Sequence, residues 1–263
     1  MRYLNYFLVL FACFFMAACD QSDIVTDPKY PERINPLTAN QLDAILNELG
    51  QTSFAMCVAI DTFGFPIIDS ELDFCLMNDS MAYTTDLIQI EQTATTAFNE
   101  YAFFLNSNNI EVDEIELVST IDGTSYNDFM EVYPDSVPAI WVVKTQLQYF
   151  EGLPVRGTSL TVWLSSSGVE GLSGKRYSRF FVPANDNFDE TAAKEMLLNK
   201  SFSHGNFDII INSQTFWHDS KKIIVPIRKS EYIELRVCLA MYPQGWEILV
   251  DSHTGEVISS IKI

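Results

Sequence analysis

Positive charge is what this sequence most lacks: 16 Lys+Arg stand against 35 Asp+Glu, a formal net charge of −19 over 263 residues. An acidic balance of that size repels nucleic-acid phosphates and anionic lipid surfaces, so neither is expected as a partner. The plain reading of the charge is a solvated surface. Histidine is nearly as scarce, with His204, His218 and His253 alone. No H-E-x-x-H occurs, no cysteine pair has C-x₂-C spacing, and no G-x-S-x-G, phosphate-loop or dinucleotide fingerprint is present. His218-Asp219-Ser220 spells the letters of a triad, but consecutive residues cannot converge as nucleophile, base and orienter do; a solvated turn is expected there. His204 beside Gly205 is expected at a helix end, where an imidazolium suits the dipole. Neither enzyme chemistry, nor a metal, nor a cofactor is expected. A 48% hydrophobic and 13% aromatic composition excludes a disordered chain and allows a packed core.

The first 18 residues are a targeting segment. Arg2 is their one charge, Tyr3 to Phe15 is almost wholly apolar, and Met16-Ala17-Ala18-Cys19 follows. The apolar run is short for a membrane span. Ala17-Ala18-Cys19 resembles a bacterial lipobox, with Met16 in place of the usual leucine. The resemblance implies cleavage before Cys19 and acylation there, hence a lipid anchor in a bacterial cell envelope. An ordinary secretory signal is the alternative. Asp20 resembles an inner-membrane retention signal, and the acidic start Asp20, Ser22, Asp23 a surface-export signal, so the face of the membrane stays open. Residues 19–39, with Pro28, Pro31 and Pro36, read as a tether. Thr38 or Asn40 is expected to cap a short helix through Leu42, Ile45, Leu46 and Leu49.

Five cysteines are present, and Cys13 and Cys19 are accounted for by the signal and the lipid. In an exported setting Cys57 and Cys75 are the expected disulfide, on strands Phe54–Ile60 and Leu72–Met77 around Gly64-Phe65-Pro66. Free buried thiols are the alternative. Cys238, among apolar residues of a long strand, is expected free and buried. Residues 40–84 form a small N-terminal segment.

From Thr85 one theme runs twice. Leu87, Ile90, Ala94, Ala97, Phe98, Tyr101, Phe104 and Leu105 recur at helical spacing, with Thr85 as N-cap. Strands are expected at 112–121, 139–150, 159–164 and 176–182. Asn187 and Glu190 have capping-box spacing before Ala192, Ala193, Met196 and Leu197. Strands follow at 207–212, 223–228, 233–242, 246–251 and 256–261. At least two of Trp141, Trp163, Trp217 and Trp246 are expected buried. The fold class is α+β: two cystatin-like halves, 85–184 and 185–263, each a helix packed on an antiparallel sheet.

The stretch 145–173, TQLQYFEGLPVRGTSLTVWLSSSGVEGLS, sets glutamines and an aromatic pair before Gly-Leu-Pro-Val and a following glycine. Leu160, Val162 and Leu164 alternate with polar residues there, and Gly168 opens a second turn. It resembles the FTP segment of thermolysin-type propeptides. Trp246 to Ile263, with Asp251-Ser252-His253-Thr254-Gly255 between two alternating runs, resembles the closing hairpin of a PepSY domain. The zinc protease that such propeptides precede is absent from this sequence. The resemblance implies a non-catalytic binding module, an inhibitor or chaperone of an exported protease or another envelope protein, through a sheet edge or through two turns. Those turns hold Gly152, Pro154 and Arg156, and Asp251 and His253. An Asx contact that stabilises the second turn is the plainer role for Asp251. The rival readings are a structural envelope lipoprotein without a protease partner, and an unrecognised hydrolase.

Overall fold

A strand needs a neighbour to satisfy its backbone, and the described strands find theirs in two larger antiparallel sheets, each with a helix packed on it, and in three short two-stranded hairpins. The computed structural model describes residues 30–49, 59–67, 84–102, 105, 107, 109–166, 168–178, 180–184 and 187–263. Pro31–Ile263 forms one compact unit, and the fold class is α+β.

The chain enters through β1 (Glu32–Ile34), α1 (Ala39–Leu49) and a short hairpin of β2 (Ala59–Ile60) and β3 (Pro66–Ile67). Thr38 and Gln41 form a reciprocal cap at the start of α1: the Thr38 N–H donates to Gln41 Oε1 at 2.9 Å and the Gln41 N–H to Thr38 Oγ1 at 3.4 Å. The tether read over 19–39 stops short of its expected end. Glu32–Ile34 is a strand paired with Ile233–Leu235, and the Arg33 guanidinium meets both Glu234 and the Tyr232 ring. Between β2 and β3, Asp61 accepts the Phe63 and Phe65 N–H groups, which puts Pro66 opposite Ile60; the strand expected at 72–77 lies outside the described residues. Cys19, Cys57 and Cys75 lie outside the described residues.

Helix α2 (Leu87–Glu100) turns Ile90, Ala94, Ala97 and Phe98 inward at helical spacing. Its cap is Asp86, whose carboxylate accepts the Ile88 N–H at 3.0 Å, one residue after the expected Thr85. Thr85 instead receives the Tyr126 hydroxyl on its carbonyl. The helix packs on β4 (Ile115–Thr120), β5 (Trp141–Thr145), β8 (Thr161–Ser165) and β9 (Gly168–Ser173), in that order across the sheet. Trp141, 1% exposed, fills the centre and donates its indole N–H to Thr84.

Three expectations differ here. The strand read over 112–121 begins with a 3-10 turn, Val112–Glu114, closed by the Glu111 and Glu114 carboxylates. The run 139–150 breaks after Thr145, and Tyr149–Phe150 (β6) pairs only with Leu153–Pro154 (β7). The edge expected at 176–182 is taken by β9, because Arg176 and Tyr177 have other partners, described below. A short helix, α3 (Tyr126–Val132), capped by Ser125, follows β4.

Helix α4 (Glu190–Leu197) is capped by Asp189, whose carboxylate accepts the Ala192 N–H at 2.8 Å. The Asn187–Glu190 box does not form, because Asn187 is drawn to the closing hairpin: its side-chain amide donates to the His253 carbonyl. A hairpin of β10 (Ser201–His204) and β11 (Phe207–Ile210) comes next. His204 thus ends a strand, not a helix, and its Nδ1 accepts the Lys262 N–H. The second sheet comprises β12 (Trp217–Arg228), β13 (Ile233–Pro243), β14 (Trp246–Asp251) and β15 (Val257–Lys262). β13 carries β12 along one edge, and β1 and β14 in succession along the other. Ala193 and Leu197 of α4 pack with Leu239, Met241, Trp246, Ile248 and Val250 on one face. The opposite face carries a smaller cluster around Cys238, Ala240 and Leu249. Trp141 and Trp246 are buried, and Trp163 and Trp217 half-buried.

Candidate functional site

Where the first sheet loses its regular pairing, the chain makes a cleft. Thr145 ends β5 with its hydroxyl accepting the Leu160 N–H at 3.0 Å. The Gln146 N–H then crosses to the Glu114 carbonyl at 2.8 Å. The Gln148 N–H goes to Thr158 Oγ1 at 2.8 Å, and the Gln148 carbonyl receives the Val155 N–H at 2.8 Å. The Gln148 carboxamide does what a strand would do. Its Nε2 donates to the Tyr177 carbonyl at 2.6 Å while its Oε1 accepts the Tyr177 N–H at 2.8 Å. That pair of bonds holds residues 176–178 beside 146–150 without a ladder.

The space left is a cleft of about 530 Å³, walled by residues 146–150 and 176–178 together with Ser107, Asn109 and Glu114. Among the described residues its one basic wall residue is Arg176, 8% exposed, which reaches Glu114 at 3.1 Å, Thr145 Oγ1 at 3.3 Å and the Gln146 carbonyl at 3.5 Å. Tyr177 is 1% exposed, with its hydroxyl buried and without a hydrogen-bond partner. Burial, and then the charge of Asp61, push its ionisation well above the ordinary tyrosine range. Its ring meets Phe65 edge-on at 5.6 Å. Phe150 stacks at a tilt on Phe180, and Tyr149 remains 55% exposed. The described wall therefore presents amides, hydroxyls and aromatic rings, and its two described charges, Arg176 and Glu114, pair with each other. Such a surface binds by hydrogen bonds and ring contact; among these wall residues there is no nucleophile with a base beside it.

The residues singled out from sequence fall in different places. Gly152 is exposed and Pro154 half-buried on the β6–β7 hairpin. Arg156, half-buried, holds the Glu247 carboxylate with two bonds, Nη1 to Oε2 at 2.8 Å and Nη2 to Oε1 at 2.6 Å. This pair holds the Glu247 carboxyl below its ordinary range and the Arg156 guanidinium above its own. Asp251 is 0% exposed. Its Oδ1 accepts the His253 and Thr254 N–H groups at 2.8 and 2.9 Å, and its Oδ2 accepts from Arg236 at 3.2 Å. Arg236 also pairs with Glu234 and Glu256. His253 is half-buried, with its backbone fixed at both ends. Asp251 is thus engaged within the molecule, Arg156 is paired while part of its side chain stays exposed, and Gly152 and Thr254 are exposed points of the two turns.

Cys238 is free and buried, and burial, then the charge of Asp251, push its thiol up to about 12. His218, Asp219 and Ser220 lie on β12, not on a turn; the Ser220 hydroxyl donates to Glu190, and the His218 ring meets Phe216. Among the described residues no three His, Cys, Asp or Glu side chains are placed to hold a metal ion, and no helix is long and apolar enough to cross a membrane.

The sheet edges, a second expected instrument, are mostly covered. β10 lies against β15 and β3 against β9. The end of β4 is closed by its own turn, the Thr120 N–H donating to the Thr124 carbonyl. The outer edge of β12 carries a bulge between His218 and Lys221, a device that discourages strand addition. The cleft residues Arg176 and Tyr177 escaped sequence reasoning. The signal that reaches them is Gln-x-Gln directly after a strand, which supplies two side-chain amides where the ladder stops.

No protein-family model matches the chain, and no curated protein matches it. Among solved structures, the C-terminal domain of Bacillus megaterium YpeB aligns with 87% of this chain and 99% of that domain, at 11% identity and a TM-score of 0.32. So loose a superposition defines neither family nor function.

Proposed function

We propose that this chain is a non-catalytic binding module of a bacterial cell envelope, anchored by lipid on Cys19, that holds a segment of an exported protein in the cleft at residues 146–150. In its finer form the reading is of an FTP-and-PepSY pair, two cystatin-like halves acting as a free-standing propeptide-like inhibitor or chaperone. The observation that carries it is local. The stretch bearing the FTP resemblance is the stretch that walls the cleft, and its glutamines hold an open space rather than fill a core. A helix on each of two sheets supports the finer form. Of exported proteins, a protease is the partner that the propeptide resemblance implies.

The test is a photo-crosslinker at Tyr149, 55% exposed on the cleft wall, with the same group at Val132, 65% exposed, as control. In native envelopes the Tyr149 position is expected to capture a protein that Val132 does not, and the captured protein is then assayed for inhibition. Equal labelling from both positions refutes the reading and leaves the structural lipoprotein, which the pairing of Arg156 with Glu247 and the burial of Asp251 favour. A soluble fragment for these assays begins no later than Pro31, since β1 belongs to the second sheet. Replacing Cys19 by serine is expected to release the full chain from membranes; unchanged partitioning rejects the anchor.

A further inference from the structure

The cleft and the second sheet are joined through two adjacent residues. Val155, 0% exposed, donates its N–H to the Gln148 carbonyl on the cleft wall at 2.8 Å. The next residue, Arg156, donates its N–H to the Ile224 carbonyl of β12 at 2.9 Å, and Val155 bridges Ile224 in parallel. Only the Cα of buried Val155 thus separates a bond to the cleft from a bond to the sheet, and each of the two planar peptides that meet there is held by one of these bonds. The Arg156 side chain adds a second grip, beyond β12 and β13, on Glu247 of β14. Tyr242 of β13 donates its hydroxyl to the same carboxylate at 3.2 Å. The guanidinium therefore closes a path from β14 through its own backbone to Gln148. Thr158 stiffens the near end, accepting the Gln148 N–H and donating to the Val155 carbonyl at 2.7 Å. Arg156 itself is not among the residues that wall the cleft.

We propose that Arg156 and Glu247 are a positioning pair: a clasp that fixes the Gln148–Phe150 wall of the cleft to the second sheet, so that the shape of the cleft depends on the state of that sheet. The inference takes the cleft described above as the binding site. A bidentate arginine–carboxylate pair suits this role because it fixes orientation as well as distance. Coupling of this kind needs a contiguous physical path, and each link here is a named hydrogen bond.

Hydrogen exchange on the soluble chain from Pro31 onward, without any ligand, tests it. Local opening raises exchange only in the segment that is released. Arg156→Gln and Glu247→Gln are each expected to raise amide exchange in residues 146–157 at least tenfold. Exchange in β4, on the far side of the first sheet, is expected to stay within twofold. The charge-swapped pair R156E/E247R is expected to return residues 146–157 to within threefold of the parent. Arg156→Lys, which keeps the charge but not the fork, is expected to fall between and serves where a glutamine variant folds poorly. Unchanged exchange over 146–157 in both single variants, a uniform rise across the chain, or no recovery in the swapped pair overturns the clasp. A cleft that captures no partner leaves this measurement untouched, so the two readings fail separately.

Discussion

Replacing Asp251 decides between its two readings, because a partner contact and a structural keystone respond differently. Asp251→Ala removes a fully buried carboxylate that accepts two backbone N–H groups and one guanidinium bond. The two N–H groups belong to half-buried His253 and exposed Thr254, so water reaches them in part and each loss costs about 1 kcal/mol. The guanidinium bond is charge-assisted and worth about 1.5–3 kcal/mol. Arg236 keeps Glu234 and Glu256, so no uncompensated buried cation is left and the larger penalty of a broken buried pair does not apply. The expected loss is about 3–5 kcal/mol, a large share of a typical domain stability of about 5–15 kcal/mol. Asp251→Asn keeps an acceptor for the backbone and forfeits the charge, so about 1.5–3 kcal/mol is expected. Urea unfolding followed by tryptophan fluorescence measures both, with Trp246, 3% exposed on the same strand, as a well-placed reporter. If Asp251→Ala costs less than about 1 kcal/mol yet abolishes partner capture, the keystone argument is wrong and the turn is a contact surface.

Two glycines of positive φ separate conformation from space. Gly152 (φ +80) has no heavy atom within 4 Å of a built Cβ, so Gly152→Ala is expected to cost about 1–2 kcal/mol. Gly255 (φ +72) would place that carbon 2.5 Å from the Phe188 ring; Gly255→Ala is expected to cost more by a margin that Phe188→Leu recovers in a double-mutant cycle. Because the Arg156 bond holds the Glu247 carboxyl below its ordinary 4.5, the unfolded chain takes up the proton first as acid is added. Stability is therefore full above about pH 4.5 and falls below it, and Glu247→Gln is expected to flatten that acid limb in pH-dependent unfolding. Cys238 works at the other end: its thiol moves from 9.0 to about 12 on folding, so its contribution is present below pH 9 and lost as pH rises towards 12. Cys238→Ala is expected to remove up to about 1.4 kcal/mol per pH unit from that alkaline slope, and a slope unchanged by the substitution refutes the assignment.

Elements whose cause is local were legible in the sequence. Helix α2 follows from its apolar spacing, β13 to β15 from long alternating runs around a turn, and α1 from Thr38 ahead of the apolar spacing that starts at Leu42, though its Gln41 partner was not singled out. Elements whose cause lies far along the chain were not. Glu-Arg-Ile at β1 has no strand signal of its own and becomes one because Ile233–Leu235 offers an open edge some 200 residues later. The polar start of β12 was passed over, since His218 to Lys222 reads as loop until β13 lies beside it. The cleft was legible by half. Gln146 to Phe150 stood out, but Arg176 and Tyr177 join them through a side-chain amide 29 residues away, which no periodicity reports. Asp251–Gly255 connects two strands as read, whereas Gly152–Gly157 holds β7 and the buried Val155 that bridges to β12. That Arg156 and Asp251 are paired within the chain depends on Glu247 and Arg236, and these became their neighbours only through folding.

The scarcity of positive charge acquires a structural meaning from where the arginines sit. Arg33, Arg156, Arg176, Arg228 and Arg236, all of the described arginines, pair with carboxylates. Four of the five join segments far apart in sequence: Arg33 to Glu234, Arg156 to Glu247, Arg176 to Glu114 and Arg228 to Asp61. Single exposed pairs contribute little to stability, about 0–1 kcal/mol, so these links are poorly explained as a general source of it. Their placement matters more. In these four long-range pairs the carboxylate is largely shielded, at 3–9% side-chain exposure, except Glu114, at 34% on the cleft wall. In a chain at −19, an acid that must be buried to close a junction needs a cation of its own, and a planar fork also fixes how the two segments meet. Arg228 ties the β2–β3 hairpin to β12, with its guanidinium over Phe63 at 4.9 Å; Arg33 ties β1 to β13; Arg156 ties the cleft wall to β14. The same residues that a charge count reads as too few for an anionic partner are the ones that assemble the N-terminal segment, the cleft and the second sheet into one unit. A partner of the described surface therefore meets amides, rings, carboxylates and exposed lysines such as Lys144 and Lys200, while the described arginines are already paired with carboxylates of the chain itself.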